Sequence, residues 1–285
     1  MADTQNVIYA QAYSRNIMQL AQQKYSKLLN TVYVKPNVRG KTFFQDQIGK
    51  WSMSIKGGRN VQTPNNDPAL ARRMGTLVDY HDNRLLDRGD ELRTISDPRS
   101  AYTIAAAQSL GRKIDDVIIA ALLGTAYSGE TGTTSNTLSS TQIAGTASAL
   151  NLKRVTSVKK IFDDADIEME DRYFITSPAG LEDLLNTSEA TSADYNAVKS
   201  LIRGDIDTWM GFKWITHTAL ATADSTRSCI AFHKYGLCLA MADAPVVRTD
   251  ERSDLSYSWQ VYYELNIGAV RLEEERVVKV LVDES

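Results

Sequence analysis

Asp97-Pro98-Arg99-Ser100-Ala101-Tyr102 opens a periodic stretch that runs unbroken to Ala121-Leu122-Leu123 and stops at Gly124. Asp97 can accept from free backbone N–H groups, and Pro98 suits the first helical position because its missing N–H is not needed there. Tyr102, Ala106, Leu110, Ile114, Val117, Ile118, Ala121 and Leu122 recur at steps of three and four, so they form one apolar stripe. Gln108, Arg112, Lys113, Asp115 and Asp116 fall mostly on the other side. A helix over 98–123 is about 39 Å long, as long as a small domain is wide. Ahead of it lie almost a hundred residues with few core-forming helices, the pattern of a building block rather than a compact enzyme.

The whole chain has 285 residues and 43% hydrophobic content, enough for one large domain or two smaller ones. No apolar run approaches a membrane span, and Met1–Ala10 lacks the order of a signal peptide, so the expected location is the cytoplasm or wherever the chain's partners take it. Cys229 and Cys238 sit in apolar surroundings and read as buried, reduced thiols. Net charge is −3 but uneven: residues 1–60 hold nine Lys and Arg against Asp3 and Asp46, which is +7 and leaves −10 for the rest. Such asymmetry suggests a basic arm that meets something acidic, either nucleic acid or the acidic body of a neighbouring copy, the alternative being a solvated arm that binds nothing. The basic residues stand singly rather than in a patch, which favours the neighbour.

Residues 1–34 show weak helical patterning through Ile17, Leu20, Ala21, Leu28 and Leu29, too thin in large apolar groups for a core of their own. Residues 41–87 read as a two-stranded excursion, with Trp51, Met53 and Ile55 alternating with polar residues on one strand and 77–81 on the other. Between them, Lys56-Gly57-Gly58-Arg59-Asn60 and Thr63–Pro68 imply turns and a mobile tip. An isolated hairpin of this size is marginal in water, so it must lean on something. Ser128–Ala147 reads as a flexible connector. From Asn151 helices and strands alternate: a capped helix to Phe162, a strand at 172–176, a helix after Ser177-Pro178, a helix carrying Tyr195 to Ile202, then strands at 210–215 and 229–232. This α/β unit ends near Asp243. Strands at 246–248, 259–265 and 277–282 close the chain and are expected to pack on the long helix.

Catalytic patterns are scarce. His81, His217 and His233 lie far apart, and the possible shared strand face of Cys229 and His233 supplies two ligands where zinc needs more. No nucleophile elbow, phosphate loop or dinucleotide fingerprint is present. The run Asp163, Asp164, Asp166, Glu168, Glu170, Asp171 lacks calcium-loop spacing and reads as a solvated helix end, and Glu273-Glu274-Glu275 as a polar turn. No catalytic residue, cofactor or metal is therefore expected.

Several stretches, taken in order, resemble a known family. Asp90-Glu91-Leu92-Arg93, Asp97-Pro98 and Leu110–Asp115 look like the start of a spine helix. Met210-Gly211-Phe212-Lys213 looks like an axial-domain strand. Ala231-Phe232-His233, Gly236–Ala242 and Val247-Arg248 look like the closing half, and Gly40-Lys41 with Phe43–Gly49 like an arm-to-loop passage. Together they resemble the major capsid proteins of tailed bacteriophages, the Hong Kong 97-type fold. The resemblance implies an α+β chain with an N-terminal arm (1–40), an extended β-hairpin loop (41–92), a peripheral domain (93–150 with 245–285, spine helix 98–123) and an inserted axial domain (151–244).

It further implies a homo-oligomer of hexamers and pentamers in a virion shell, assembled in the host cytoplasm and enclosing DNA without sequence-specific binding or membrane contact. With Met1 present, no N-terminal scaffolding segment is expected to have been cleaved; a separate scaffolding protein, a portal and a decoration protein are the expected partners. Arg15, Lys50, Trp51, Lys56 and Arg59 are the candidate inter-subunit contacts. Some relatives join a loop lysine to an asparagine, and Lys50, Lys56 and Asn266 are present here. The alternatives are a cellular nanocompartment shell of the same fold and a soluble α/β enzyme with a regulatory hairpin.

Overall fold

The computed structural model describes residues 22–86, 99–186 and 208–284. Its elements in chain order are β1 (Tyr33–Lys35), β2 (Thr42–Ile48), β3 (Leu70–Thr76), β4 (Val78–Leu86), α1 (Arg99–Leu123), β5 (Ala126–Ser128), β6 (Thr134–Asn136), β7 (Ile143–Ser148), α2 (Leu152–Asp164), β8 (Arg172–Thr176), α3 (Pro178–Asn186), β9 (Thr208–Trp209), β10 (Phe212–Thr216), β11 (Thr222–Ala223), β12 (Thr226–His233), β13 (Leu237–Met241), β14 (Val246–Arg252), β15 (Ser258–Arg271) and β16 (Val277–Asp283). The expected α+β class is borne out. The cap at Asp97-Pro98 and the helix expected over 195–202 lie outside the described residues.

The described chain forms two compact units. The smaller gathers residues 22–26, 79–86, 99–113 and 244–265. In it β14 pairs antiparallel with the first half of β15, from Val246 opposite Glu264 to Arg252 opposite Ser258, and β4 also pairs with β15. Ala106 and Leu110 of α1 are buried here. Gly111 lets the chain at Tyr25-Ser26 lie against the helix: a Cβ at this position would sit 2.9 Å from the Ser26 nitrogen.

The larger unit gathers residues 27–78, 114–186, 208–243 and 266–284. Its largest sheet runs β7-β16-β12-β8-β10-β9, with β11 on β12. Asn151 caps α2 as its sequence position suggests, Oδ1 accepting from the Arg154 N–H at 3.0 Å. Val155, Val158 and Phe162 are the buried face of that helix. Phe212 packs edge-on against both Phe162 and Phe174, and Phe174 stacks on Trp214 at 4.4 Å. Ser177 Oγ accepts from the Gly180 N–H at 3.1 Å and so starts α3. A second sheet half pairs β13 with the end of β15, and β1 runs parallel to β13. The third sheet, β2-β3-β5-β6, carries the excursion.

Four expectations change. Trp51, Met53 and Ile55 lie in no strand: β2 ends at Ile48 and the chain is irregular to Ala69, because nothing on the described chain offers those side chains a pleated surface. The connector 128–147 holds β6, most of β7 and the end of β5, since backbone pairing with β3 and β16 outweighs its poor strand propensity. Residues 277–283 pair with β12 of the α/β sheet, although the sequence groups them with the closing strands, and β13 leaves that sheet for β15. Gln108 and Asp115, assigned by periodicity to the polar side of α1, are buried.

Candidate assembly surfaces

The most exposed apolar groups of the larger unit cluster at one end of the β2–β3 ribbon. The two strands pair from Thr42 opposite Thr76 to Ile48 opposite Leu70. The Gly49 N–H donates to the Ala69 carbonyl at 2.7 Å, one step past the ladder. Beyond it the chain loops out from 50 to 68. Met53 is 100% exposed, Ile55 98%, Leu70 79%, Ile48 75% and Trp51 74%. Lys50, Lys56 and Arg59 are exposed on the same segment. No Asp or Glu occurs between Gln47 and Asn66 and Asp67 is the single acid of the loop, so the tip is cationic on balance. Of the five candidate contact residues the structure thus brings four to one tip, while Arg15 lies outside the described residues.

The root of the ribbon is built differently. Phe43 lies over Gly75, whose missing side chain makes room: a Cβ there would fall 2.2 Å from the ring. Gln47 Nε2 and Arg73 Nε both donate to the Leu272 carbonyl, at 3.2 and 2.9 Å. Arg73 also binds Glu274 at 2.6 Å. Arg72 pairs with Asp46 across the strands, and this bond with Arg72 holds the Asp46 carboxyl below its usual range. A groove of about 750 Å³ runs beside this root, lined by Asp46, Ile48, Leu70, Arg72, Ser128 and Glu130 among others. A tip this exposed on a root this well tied is free of the unit's own core. Deleting residues 59–66 is therefore expected to leave the cooperative melt of the larger unit in place while impairing association; outright unfolding of the monomer in circular dichroism would show that the tip belongs to its own core.

Four buried polar side chains that sequence periodicity could not single out fasten the framework. Asp115, wholly buried in α1, accepts from the Leu28 N–H through Oδ1 at 3.1 Å and from the Lys27 N–H through Oδ2 at 3.0 Å. Its Oδ2 also lies 3.1 Å from His217 Nε2. The Ala219 N–H donates to His217 Nδ1 at 3.1 Å, so that nitrogen carries no proton and Nε2–H is the donor to Asp115. Lys27 Nζ adds a bond to the Thr216 carbonyl at 2.8 Å. One carboxylate thus joins three stretches of chain that lie about ninety to a hundred residues apart.

The other three are arginines. Arg271, wholly buried, donates to the carbonyls of Leu122 (2.9 Å), Gly124 (2.6 Å) and Asn136 (3.0 Å). It supplies both hydrogen bonds and positive charge at the carbonyl end of α1. Burial pushes its pKa below the usual arginine value, yet a guanidinium stays charged at any working pH. Arg172 holds the Ile167 and Glu168 carbonyls and the Asp163 carboxylate. Arg154 holds the Ser148, Ala144 and Leu281 carbonyls.

The remaining candidates are dispersed. His81 sits near the Tyr262 ring and His233 accepts from the Tyr235 N–H, while burial, with Arg276 beside it, lowers the pKa of His233. Cys229 and Cys238 are buried and free, and burial pushes the Cys238 thiol up to about 11. The acidic run is partly spent on Arg172, Arg276, Lys213 and Lys234. Among the described residues no three His, Cys, Asp or Glu side chains gather as a metal site, and no helix is long and apolar enough to cross a membrane.

The chain thus combines an exposed cationic and apolar tip with a long helix and a mixed α/β sheet. A sequence model of the family described as phage capsid protein matches residues 6–284, and the chain belongs to that family. No functionally curated protein matches it. Among solved structures, the capsid of Ralstonia phage GP4 superposes with a TM-score of 0.77 at 10% identity, covering 99% of this chain and 97% of that one. The capsid of cyanophage P-SCSP1u gives 0.73 at 13%, covering 98% and 94%. Mycobacterium phage Che8 gives 0.73 at 15%, covering 97% of each. The tailed-phage capsid fold implied by the sequence is borne out, and the chain is a capsid protein of a virion shell; a nanocompartment origin is not favoured.

Proposed function

We propose that copies of this chain close into an icosahedral shell of hexamers and pentamers around the double-stranded DNA of a tailed phage, and that the chain has no enzymatic role. The carrying observation is the tip at 50–68, apolar, cationic and unsupported by its own unit. In this reading residues 1–40 are an arm and 41–92 an extended loop laid over neighbours. Residues 93–150 with 245–285 join adjacent capsomers, and 151–244 face the symmetry axes. Scaffolding, portal and decoration proteins are the partners, and assembly occurs in the host cytoplasm. Many modest contacts closed by symmetry supply the stability. Analytical ultracentrifugation tests it: a large closed particle is expected, and a sharp monomer or dimer that never assembles even with its cognate scaffold sinks the reading.

Arg15, Lys50, Trp51, Lys56 and Arg59 are the contacts we assign to neighbouring copies, with acidic surface as their target. Exposed charge pairs are individually weak and screened over about 10 Å at about 0.1 M salt, but repetition around a shell multiplies them. Lys50→Glu with Lys56→Glu is therefore expected to slow or block shell formation from DNA-free components, as followed by light scattering. If empty shells form normally and only DNA retention falls, nucleic acid is the partner instead.

A further inference from the structure

At the foot of the ribbon one ion-pair cluster leaves three buried polar atoms without a hydrogen-bond partner: Arg73 Nη1, Arg271 Nε and Glu274 Oε1. Glu274 binds Arg73 Nη2 through Oε2 at 2.6 Å. Its other oxygen lies 3.8 Å from Arg271 Nε, beyond hydrogen-bond reach. Neither arginine is free to close that gap. Arg271 spends Nη1 and Nη2 on the Leu122, Gly124 and Asn136 carbonyls, and Arg73 is tied by Nε to the Leu272 carbonyl.

Buried donors and acceptors are costly to leave unpaired, so the cluster calls for a third party. Its chemistry follows by elimination. An anion suits the two N–H donors but is repelled by Glu274. A cation suits Glu274 but is repelled by two guanidinium groups. An apolar group satisfies none of the three. Water accepts from both donors and donates a hydrogen bond to the carboxylate, and 3.8 Å is short enough for one oxygen to bridge Arg271 Nε and Glu274 Oε1. We propose that Arg73, Arg271 and Glu274 hold one structural water where β3, the turn between β15 and β16, and the carbonyl end of α1 meet. Buried waters of this kind make about three hydrogen bonds. The ribbon is then joined to the β15–β16 turn by a solvent bridge as well as by the Arg73–Glu274 ion pair, and Arg271 carries that link to the carbonyl end of α1. The proposal stands apart from the shell reading and concerns the single chain.

A density map of the intact protein at a resolution that shows ordered solvent tests it. The expected result is one peak within hydrogen-bond distance of all three atoms. Direct contact between Arg271 Nε and Glu274 Oε1, or a peak that bonds fewer than two of the three atoms, overturns it. Glu274→Leu removes the acceptor and frees Arg73, so the peak should vanish; solvent persisting at the same place would mean that other groups hold it. In solution the intact protein should show cross-relaxation between water and the Arg271 Nε–H signal, a readout that needs no variant. A resolved signal with no such transfer counts against the assignment.

Discussion

Asp115→Ala is expected to lower the stability of the larger unit by about 4 kcal/mol, the cost of stranding the hydrogen-bond donors that the carboxylate satisfies. The carboxylate accepts from the backbone N–H groups of Lys27 and Leu28 and from His217, with no exposed surface. Removing it strands two buried donors, the Leu28 N–H and His217 Nε2–H, at about 1–3 kcal/mol each before relaxation, and the half-buried Lys27 N–H besides. His217→Gln should cost less, because an amide N–H can still reach the carboxylate while the Ala219 N–H loses its acceptor. Urea unfolding followed by tryptophan fluorescence measures both. An Asp115→Ala midpoint within about 1 kcal/mol of the wild type would mean that the 27–28 segment contributes little to the unit.

Arg271 provides the second large effect, and here the choice of substitution separates two causes. If charge at the end of α1 is what matters, Arg271→Lys retains most of the stability. If the fork geometry matters, it does not, because an ammonium is one point and the three carbonyls at Leu122, Gly124 and Asn136 are spread along the guanidinium. The geometry favours the second outcome: a loss of about 3 kcal/mol for Lys and slightly more for Met, by the price of stranded buried acceptors. Thermal melts of the two variants beside the wild type decide. Full retention by Lys would reduce the role of Arg271 to the helix dipole, worth at most about 2 kcal/mol.

The division between what the sequence made legible and what it hid follows range. Helix α1, the Asn151 cap, the Ser177-Pro178 restart and strands β8, β10 and β12 are local patterns of period, cap and turn, and each is where the pattern puts it. Sheet membership is not local. Val277–Val282 has the same alternation whether it joins β15 or β12, and only the folded chain shows that it joins β12. Periodicity also places a residue on a face without saying what covers that face. Asp115 reads as solvated until Lys27 and Leu28 arrive from far up the chain. The basic tip was visible by composition alone, whereas its root depended on Phe43 meeting Gly75 and on Arg73 reaching Leu272.

The three buried arginines mostly grip main-chain carbonyls: those of Leu122, Gly124, Asn136, Ala144, Ser148, Ile167, Glu168 and Leu281. A carbonyl survives any substitution at its own position. Each clasp therefore constrains one codon and leaves its partners' codons free, unlike a side-chain pair, where both must change together. A lineage under pressure to alter its exterior can rewrite most of its residues while these clasps go on closing.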